Sequence, residues 1–187
     1  MTAASAPRVR VGISACLLGQ KVRYDGGHKL DRRVAGPLGR LFEWVPVCPE
    51  VEMGLGVPRE TLRLEGDRRG PRLVFERARR DITSRMSAWS RRRLAQLDRL
   101  DLCGYVLKSR SPSCGLRSVP VHRSGRPGAP KGRATGAFAR ALLKRFPRLP
   151  VEEEDALHDR ERRERFVRRV FAYRQRLDRL ADGAARG

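Results

Sequence analysis

Cysteine is scarce in this chain, with four residues among 187 and no Cys-x-x-Cys pair. So small and irregular a set excludes a secreted disulfide scaffold, and the missing close-set pair removes the usual sign of structural zinc. Histidine is scarcer still: His28, His122 and His158 share no spacing with the thiols and read as surface or loop residues. Long apolar runs are also wanting. No uninterrupted stretch approaches the length that spans a bilayer, so a soluble protein without a membrane partner is expected. Export is excluded on a related ground. Ile13-Ser14-Ala15-Cys16 mimics a lipoprotein cleavage box, but only Val11 to Ala15 separates Arg10 from the cysteine, shorter than the apolar core of an export signal. The expected compartment is a reducing cytoplasm.

Acidic side chains are in deficit, 21 against 42 basic ones, and the formal charge is +21. From Val151 onward ten basic residues meet nine acidic ones, so nearly all the excess belongs to residues 1–150, which carry the cysteines. Lysine is rare among the cations, with five in all (Lys21, Lys29, Lys108, Lys131 and Lys144). Two readings stand side by side: arginine drift in a GC-rich genome, and a functional basic face for a polyanion such as RNA.

What is present is an α/β pattern, long enough for one domain with a real core. Val9–Ile13 and Trp44–Val47 read as short strands, and Leu102–Leu107 as a third, apolar throughout and so buried on both faces. Asp31–Phe42 reads as a helix with Gly36-Pro37 as a break. Thr61–Glu76 alternates Leu62, Leu64, Leu73 and Phe75 with charged neighbours around two glycine turns, which predicts a hairpin at the edge of the sheet. Thr83 is placed to cap a helix carrying Met86, Trp89, Leu94, Leu97 and Leu100 on one side. Further on, Val119-Pro120-Val121, a polar loop from Arg123 to Gly132, a helix near Thr135–Phe146 and a last strand at Leu149–Val151 are expected. The tail repeats Leu157, Phe166, Val170, Phe171, Tyr173 and Leu177 at helical spacing, the pattern of a docked amphipathic helix. The whole reads as a single Rossmann-like domain, a short mostly parallel sheet flanked by helices, with that helix appended.

Three of the cysteines mark places where an apolar run breaks into a loop: Cys16 after Val9–Ile13, Cys48 after Trp44–Val47, and Cys114 after Tyr105–Leu107. In an open α/β sheet the carboxyl ends of the strands share one edge, where ligands bind, so thiols distant in sequence meet there. The pattern suggests a three-thiolate site for a metal or a cluster. The plainer reading is that cysteines are small buried hydrophobes, and Cys103, inside the apolar third strand, is assigned to it. An iron–sulfur cluster tolerates widely spaced thiolate ligands.

The loops are more specific than their cysteines. Ser14-Ala15-Cys16-Leu17-Leu18-Gly19, Val22-Arg23-Tyr24-Asp25-Gly26, Cys48-Pro49-Glu50-Val51-Glu52 with Gly54-Leu55 and Pro58-Arg59, and Leu107-Lys108-Ser109-Arg110-Ser111-Pro112-Ser113-Cys114-Gly115, in this order, resemble the thiouracil desulfidase family across about residues 8–150. The tail is similar to the stretch that follows this domain in longer relatives, which continue into a domain implicated in RNA binding. The resemblance implies a cluster-binding desulfidase domain over 1–150 and a helical extension over 151–187. It implies a 4Fe-4S cluster held by Cys16, Cys48 and Cys114 with one iron open as a Lewis acid, and removal of sulfur from a thiolated pyrimidine without net redox change, water supplying the oxygen. The substrate would be thiouracil, or 4-thiouridine free, as a nucleotide or within transfer RNA.

Such a reaction needs groups that move protons, and position decides which act. Glu50 and Glu52, flanking the second thiolate, and Asp25, after the first cysteine loop, are the candidates. Ser111 joins them as a hydroxyl near the third thiolate, while Ser113 and Lys108 are candidate substrate contacts, Lys108 also balancing the thiolate charge. Each has a plainer role: Asp25-Gly26 as a tight turn, one glutamate as an acceptor of backbone hydrogen bonds or a partner of Arg59, Lys108 as a strand-end surface charge. The competing function is a non-catalytic RNA-binding or regulatory protein in which a metal or cluster braces the fold.

Overall fold

The computed structural model describes residues 8–124 and 128–184. Among the described residues eight strands form two four-stranded sheets. In the first, the order is β2-β1-β5-β8 (Phe42–Val47, Val9–Ser14, Gly104–Leu107, Val151–Glu153), and every pairing is parallel. The second sheet runs β4-β3-β6-β7 (Arg72–Phe75, Leu62–Glu65, Val119–His122, Gly132–Ala134) and is mixed. Helices α1 (Arg32–Gly39) and α5 (Arg160–Ala184) cover one face of the first sheet; α3 (Thr83–Asp98) and α4 (Ala137–Arg145) share a core with its other face and with the second sheet. A four-residue helix, α2 (Pro49–Glu52), follows β2. This is the expected α/β class, with a second sheet added.

The central strand β5 is buried at all four positions, as its unbroken apolar run predicts for a parallel strand covered on both sides. Its Tyr105 pairs with Gly12 of β1. A Cβ on Gly12 would stand 2.3 Å from that ring, so the glycine lets the aromatic lie across the neighbouring strand. Tyr105 continues the core to Phe138 of α4 at 5.9 Å between centroids, and Phe138 to Trp89 of α3 at 5.6 Å. On the opposite face Phe42 meets Phe166 of α5 edge-on at 6.4 Å. Phe166 and Val170, on the predicted apolar stripe of the tail, are both buried there with Cys103. The boundary expected at residue 150 falls just ahead of β8, the edge strand beside β5.

Three local expectations are corrected. The Thr61–Glu76 hairpin does form, β3 against β4, but it belongs to the second sheet because β3 pairs in parallel with β6 far along the chain. Gly36-Pro37 does not break α1. Asp31 caps the helix by accepting from the Arg33 and Val34 amides, and exposed Pro37 leaves only the Arg33 carbonyl unpaired, a group water can serve. Thr83 begins α3 without capping it: its amide donates to Asp81 Oδ1 at 2.8 Å, while its hydroxyl accepts from the Leu73 amide at 2.8 Å.

Candidate active site

Because β1, β2 and β5 run in parallel and in close register, their carboxyl ends open on the same edge. A cleft of about 550 Å³ lies there, and Cys16, Cys48 and Cys114 all line it. Each thiol is held by a different local device. Cys16 sits in a single 3-10 turn, Ala15–Leu18, whose carbonyl at Cys16 accepts from the Gly19 and Lys29 amides. Cys48 opens α2, with its amide donating to Glu52 Oε1 at 2.9 Å. Cys114 hangs on a loop fastened to the start of α4: the Gly136, Ala137 and Phe138 amides donate to the carbonyls of Gly115, Pro112 and Ser113.

That last attachment leaves no room. A Cβ on Gly136 would stand 2.6 Å from the Ser113 backbone and 3.0 Å from the Cys114 amide nitrogen. Gly136→Ala should therefore displace the third thiol. The expected result is a loss of about 1–3 kcal/mol in urea-unfolding stability.

Burial pushes the Cys16 thiol up to about 11, with the charge of Cys48 adding to it and Lys108 and Arg23 pulling it down. Burial likewise raises Cys48 and lifts Cys114 well above the ordinary thiol value, the Ser14 hydroxyl opposing in the latter case. Each thiol thus feels neighbouring charge, and any metal taken up there would have to displace thiol protons. Among the described residues no three His, Cys, Asp or Glu side chains close to the spacing of a single ion.

Glu50 also lines the cleft. Its Oε1 accepts from Ser113 Oγ at 2.8 Å, and its Oε2 from Arg59 Nε at 3.0 Å and from the second guanidinium nitrogen. Arg59, almost wholly buried, donates in addition to the carbonyls of Val22 and Gly56, each at 3.0 Å, and so ties the first cysteine loop to the second. Lys108 lines the cleft as well, but its ammonium is fully engaged. It donates to Glu154 Oε1, to Ser109 Oγ at 2.9 Å and to the Ser109 carbonyl at 3.1 Å, which uses its three protons. Glu154, buried, also accepts from the Ser109 amide at 2.6 Å and the Ser109 hydroxyl at 2.8 Å. Ser14 Oγ accepts from the Lys108 amide at 2.9 Å.

Of the residues singled out from sequence, the three cysteines, Glu50, Lys108 and Ser111 line the cleft. Ser111 Oγ accepts from the Cys114 amide at 3.2 Å, and Ser113 stands fully buried behind the wall as the partner of Glu50. Asp25 and Glu52 are not among the lining residues. Asp25 accepts from the Gly27 amide at 2.9 Å and from Arg23, and these contacts hold its carboxyl below the usual range in an exposed turn. Glu52 spends one oxygen on the Cys48 amide and the other on Arg93 at 2.9 Å. Both glutamate alternatives are therefore realised, one in each residue. Ser14, Ser109 and Glu154 went unnoticed as site residues; their signal was position alone, each at or just past the carboxyl end of a sheet strand.

Comparison with known proteins follows this geometry. Over 80% of this chain and 93% of its own length, a solved structure described as the [4Fe-4S]-dependent thiouracil desulfidase TudS superposes with a TM-score of 0.61 at 31% identity. An uncharacterized protein of Bacillus subtilis (strain 168), YbbK, is 27% identical over 108 residues, 55% of this chain and 71% of YbbK. Residues 11–154, from the middle of β1 to the carboxylate that holds Lys108, match 2-thiouracil desulfurase as a family, and to that family this chain belongs.

Proposed function

We propose that this protein is an iron–sulfur-dependent desulfidase that exchanges sulfur for oxygen on a thiolated pyrimidine. The observation that carries the reading is the meeting of Cys16, Cys48 and Cys114, from three parallel strand ends, on the wall of one cleft. Those three residues would hold a 4Fe-4S cluster. The donor set suits it: three soft thiols, with no histidine among the described residues of the cleft wall. When bound, the cluster supplies a Lewis-acidic iron free of protein ligands, which polarises a thiocarbonyl. The reaction balances as C=S plus water giving C=O plus hydrogen sulfide, with no electron gained or lost.

The chain's own side chains do the rest. Glu50, on the cleft wall and held at both oxygens by Ser113 and Arg59, would accept a proton from the attacking water. Ser111 offers its hydroxyl proton to the substrate, since its oxygen already accepts from the Cys114 amide. Lys108 acts as a fixed positive charge beside Cys16, its protons held by Glu154 and Ser109. Arg59 and Lys108 are each paired with a carboxylate, whereas Lys29 and Arg110 line the same cleft with none at ion-pair distance among the described residues. These two cations favour a thiopyrimidine that carries phosphate over the free base.

Anaerobic reconstitution with iron and sulfide is expected to give a brown protein that releases sulfide from 2-thiouracil, 4-thiouracil, 4-thiouridine or 4-thiouridine monophosphate and returns the oxo compound. The KM for a phosphorylated substrate should rise with ionic strength while that for a free base stays flat. A colourless protein, or a brown one that turns over none of these, would leave the bracing role and remove the enzyme reading.

A further inference from the structure

We infer that Tyr24 is the stacking platform for the substrate's pyrimidine ring. Among the described residues, Tyr24 is the one aromatic side chain lining the cleft, together with Cys16, Cys48 and Cys114. It is 41% exposed in a protein whose large aromatic side chains otherwise lie mostly in the core. A half-exposed aromatic ring on the wall of the cleft offers a flat apolar face to a planar guest.

The turn that carries Tyr24 is built to hold it still. Gly26 N donates to the Arg23 carbonyl at 3.1 Å and Arg23 N to the Gly27 carbonyl at 3.2 Å, closing a tight reversal. Gly26 takes a φ of 77°, in the left-handed region that glycine enters freely. The Asp25 carboxylate accepts from the Gly27 amide at 2.9 Å, so this residue serves as turn former and as partner of Arg23. From the other side, the Arg59 amide donates to the Tyr24 carbonyl at 2.9 Å and its guanidinium to the Val22 carbonyl at 3.0 Å. The residue that fixes Glu50 thereby also fixes the backbone on either side of Arg23.

The ring has a cation on it already. The Arg23 guanidinium lies over Tyr24 at 5.3 Å from the centroid. A cation on one face leaves the other for a base, and the arrangement becomes a layered stack of guanidinium, phenol and pyrimidine. Stacking asks only for a flat π-system, so it accepts the thio substrate and the oxo product alike. It supplies orientation in the plane and leaves discrimination between sulfur and oxygen to the thiol end of the cleft. This assignment rests on the desulfidase reading for the identity of the guest ring.

The test uses the whole reconstituted chain with Tyr24→Phe and Tyr24→Ala. Two quantities are read: steady-state kcat and KM with 4-thiouracil, and the equilibrium affinity for uracil by titration calorimetry, which needs no turnover. Loss of the ring should raise the uracil Kd and the KM by about 5- to 140-fold, the span of base–aromatic stacking energies, with kcat and bound iron little changed. Tyr24→Phe keeps the face and should stay near wild type. Unchanged uracil affinity in Tyr24→Ala overturns the proposal, as does a Tyr24→Phe variant as impaired as the alanine, which would assign the effect to the hydroxyl. A wild-type protein that binds uracil through Tyr24 and releases no sulfide would sustain the stack while ending the desulfidase reading.

Discussion

Alanine at Cys16, Cys48 or Cys114 is expected to reduce sulfide release to the background of the cluster-free protein, and Cys103→Ala to leave it essentially intact. The contrast follows from where the thiols lie. The first three line the cleft at the ends of three parallel strands. Cys103 is fully buried in the opposite core with Val106, Phe166 and Val170, its Sγ 3.2 Å from the Asp101 carbonyl. If the cleft thiols hold the proposed cluster, losing one loses the cluster and every rate contribution that depends on it, whereas removing Cys103 deletes one small buried group and costs on the order of 1 kcal/mol of stability. The check pairs two measurements on each variant, visible absorbance with iron content and sulfide release. A cleft variant that stays brown and active would dissolve the three-thiolate site; a colourless Cys103→Ala of normal fold would show that the wrong set was chosen.

The meeting of the three cysteines on one cleft was legible in the sequence, for a physical reason. Strand-forming runs such as Val9–Ile13 and the strand ending at Leu107 are local signals, and parallel strands put their carboxyl ends on one edge whatever the loops between them do. So cysteines that follow strands declare themselves. What stayed hidden was pairwise and long-range. The second sheet depends on β3 finding β6 more than fifty residues later, and no periodicity in Thr61–Glu76 records that choice. Arg59 was visible as a motif residue, but its hydrogen bonds to the Val22 and Tyr24 carbonyls follow from folding. Glu154 opens the tail in sequence and ends up beneath the third cysteine loop, because β8 docks on β5 and delivers it there. Asp25 and Glu52 show the converse. Carboxylates beside a thiol in sequence look catalytic, yet a tight turn and a helix start consume them locally.

The Lys108 and Glu154 pair should give the largest stability effect, with a sign pattern that identifies it. Their side chains are 20% and 7% exposed, so neither charge is well solvated and each depends on the other. Glu154→Leu leaves the Lys108 ammonium in the wall of the cleft with only Ser109 as partner. Lys108→Met leaves the carboxylate with the Ser109 amide and hydroxyl. Either single change should cost roughly 3–5 kcal/mol in urea unfolding, the toll of stranding a buried charge. The double variant replaces both with apolar groups of similar reach, strands nothing, and should lose less than the sum of the singles by more than about 1 kcal/mol in a double-mutant cycle. Additive losses would mean two independent surface residues and would contradict the burial. The same pair closes the Ser109 turn ahead of Arg110, whose φ of 61° is held in the left-handed region, and of the loop carrying Ser111 and Cys114. Recovered stability in the double variant should therefore come without recovered activity: the fold tolerates an apolar strut, but the cleft has then lost the fixed positive charge beside Cys16.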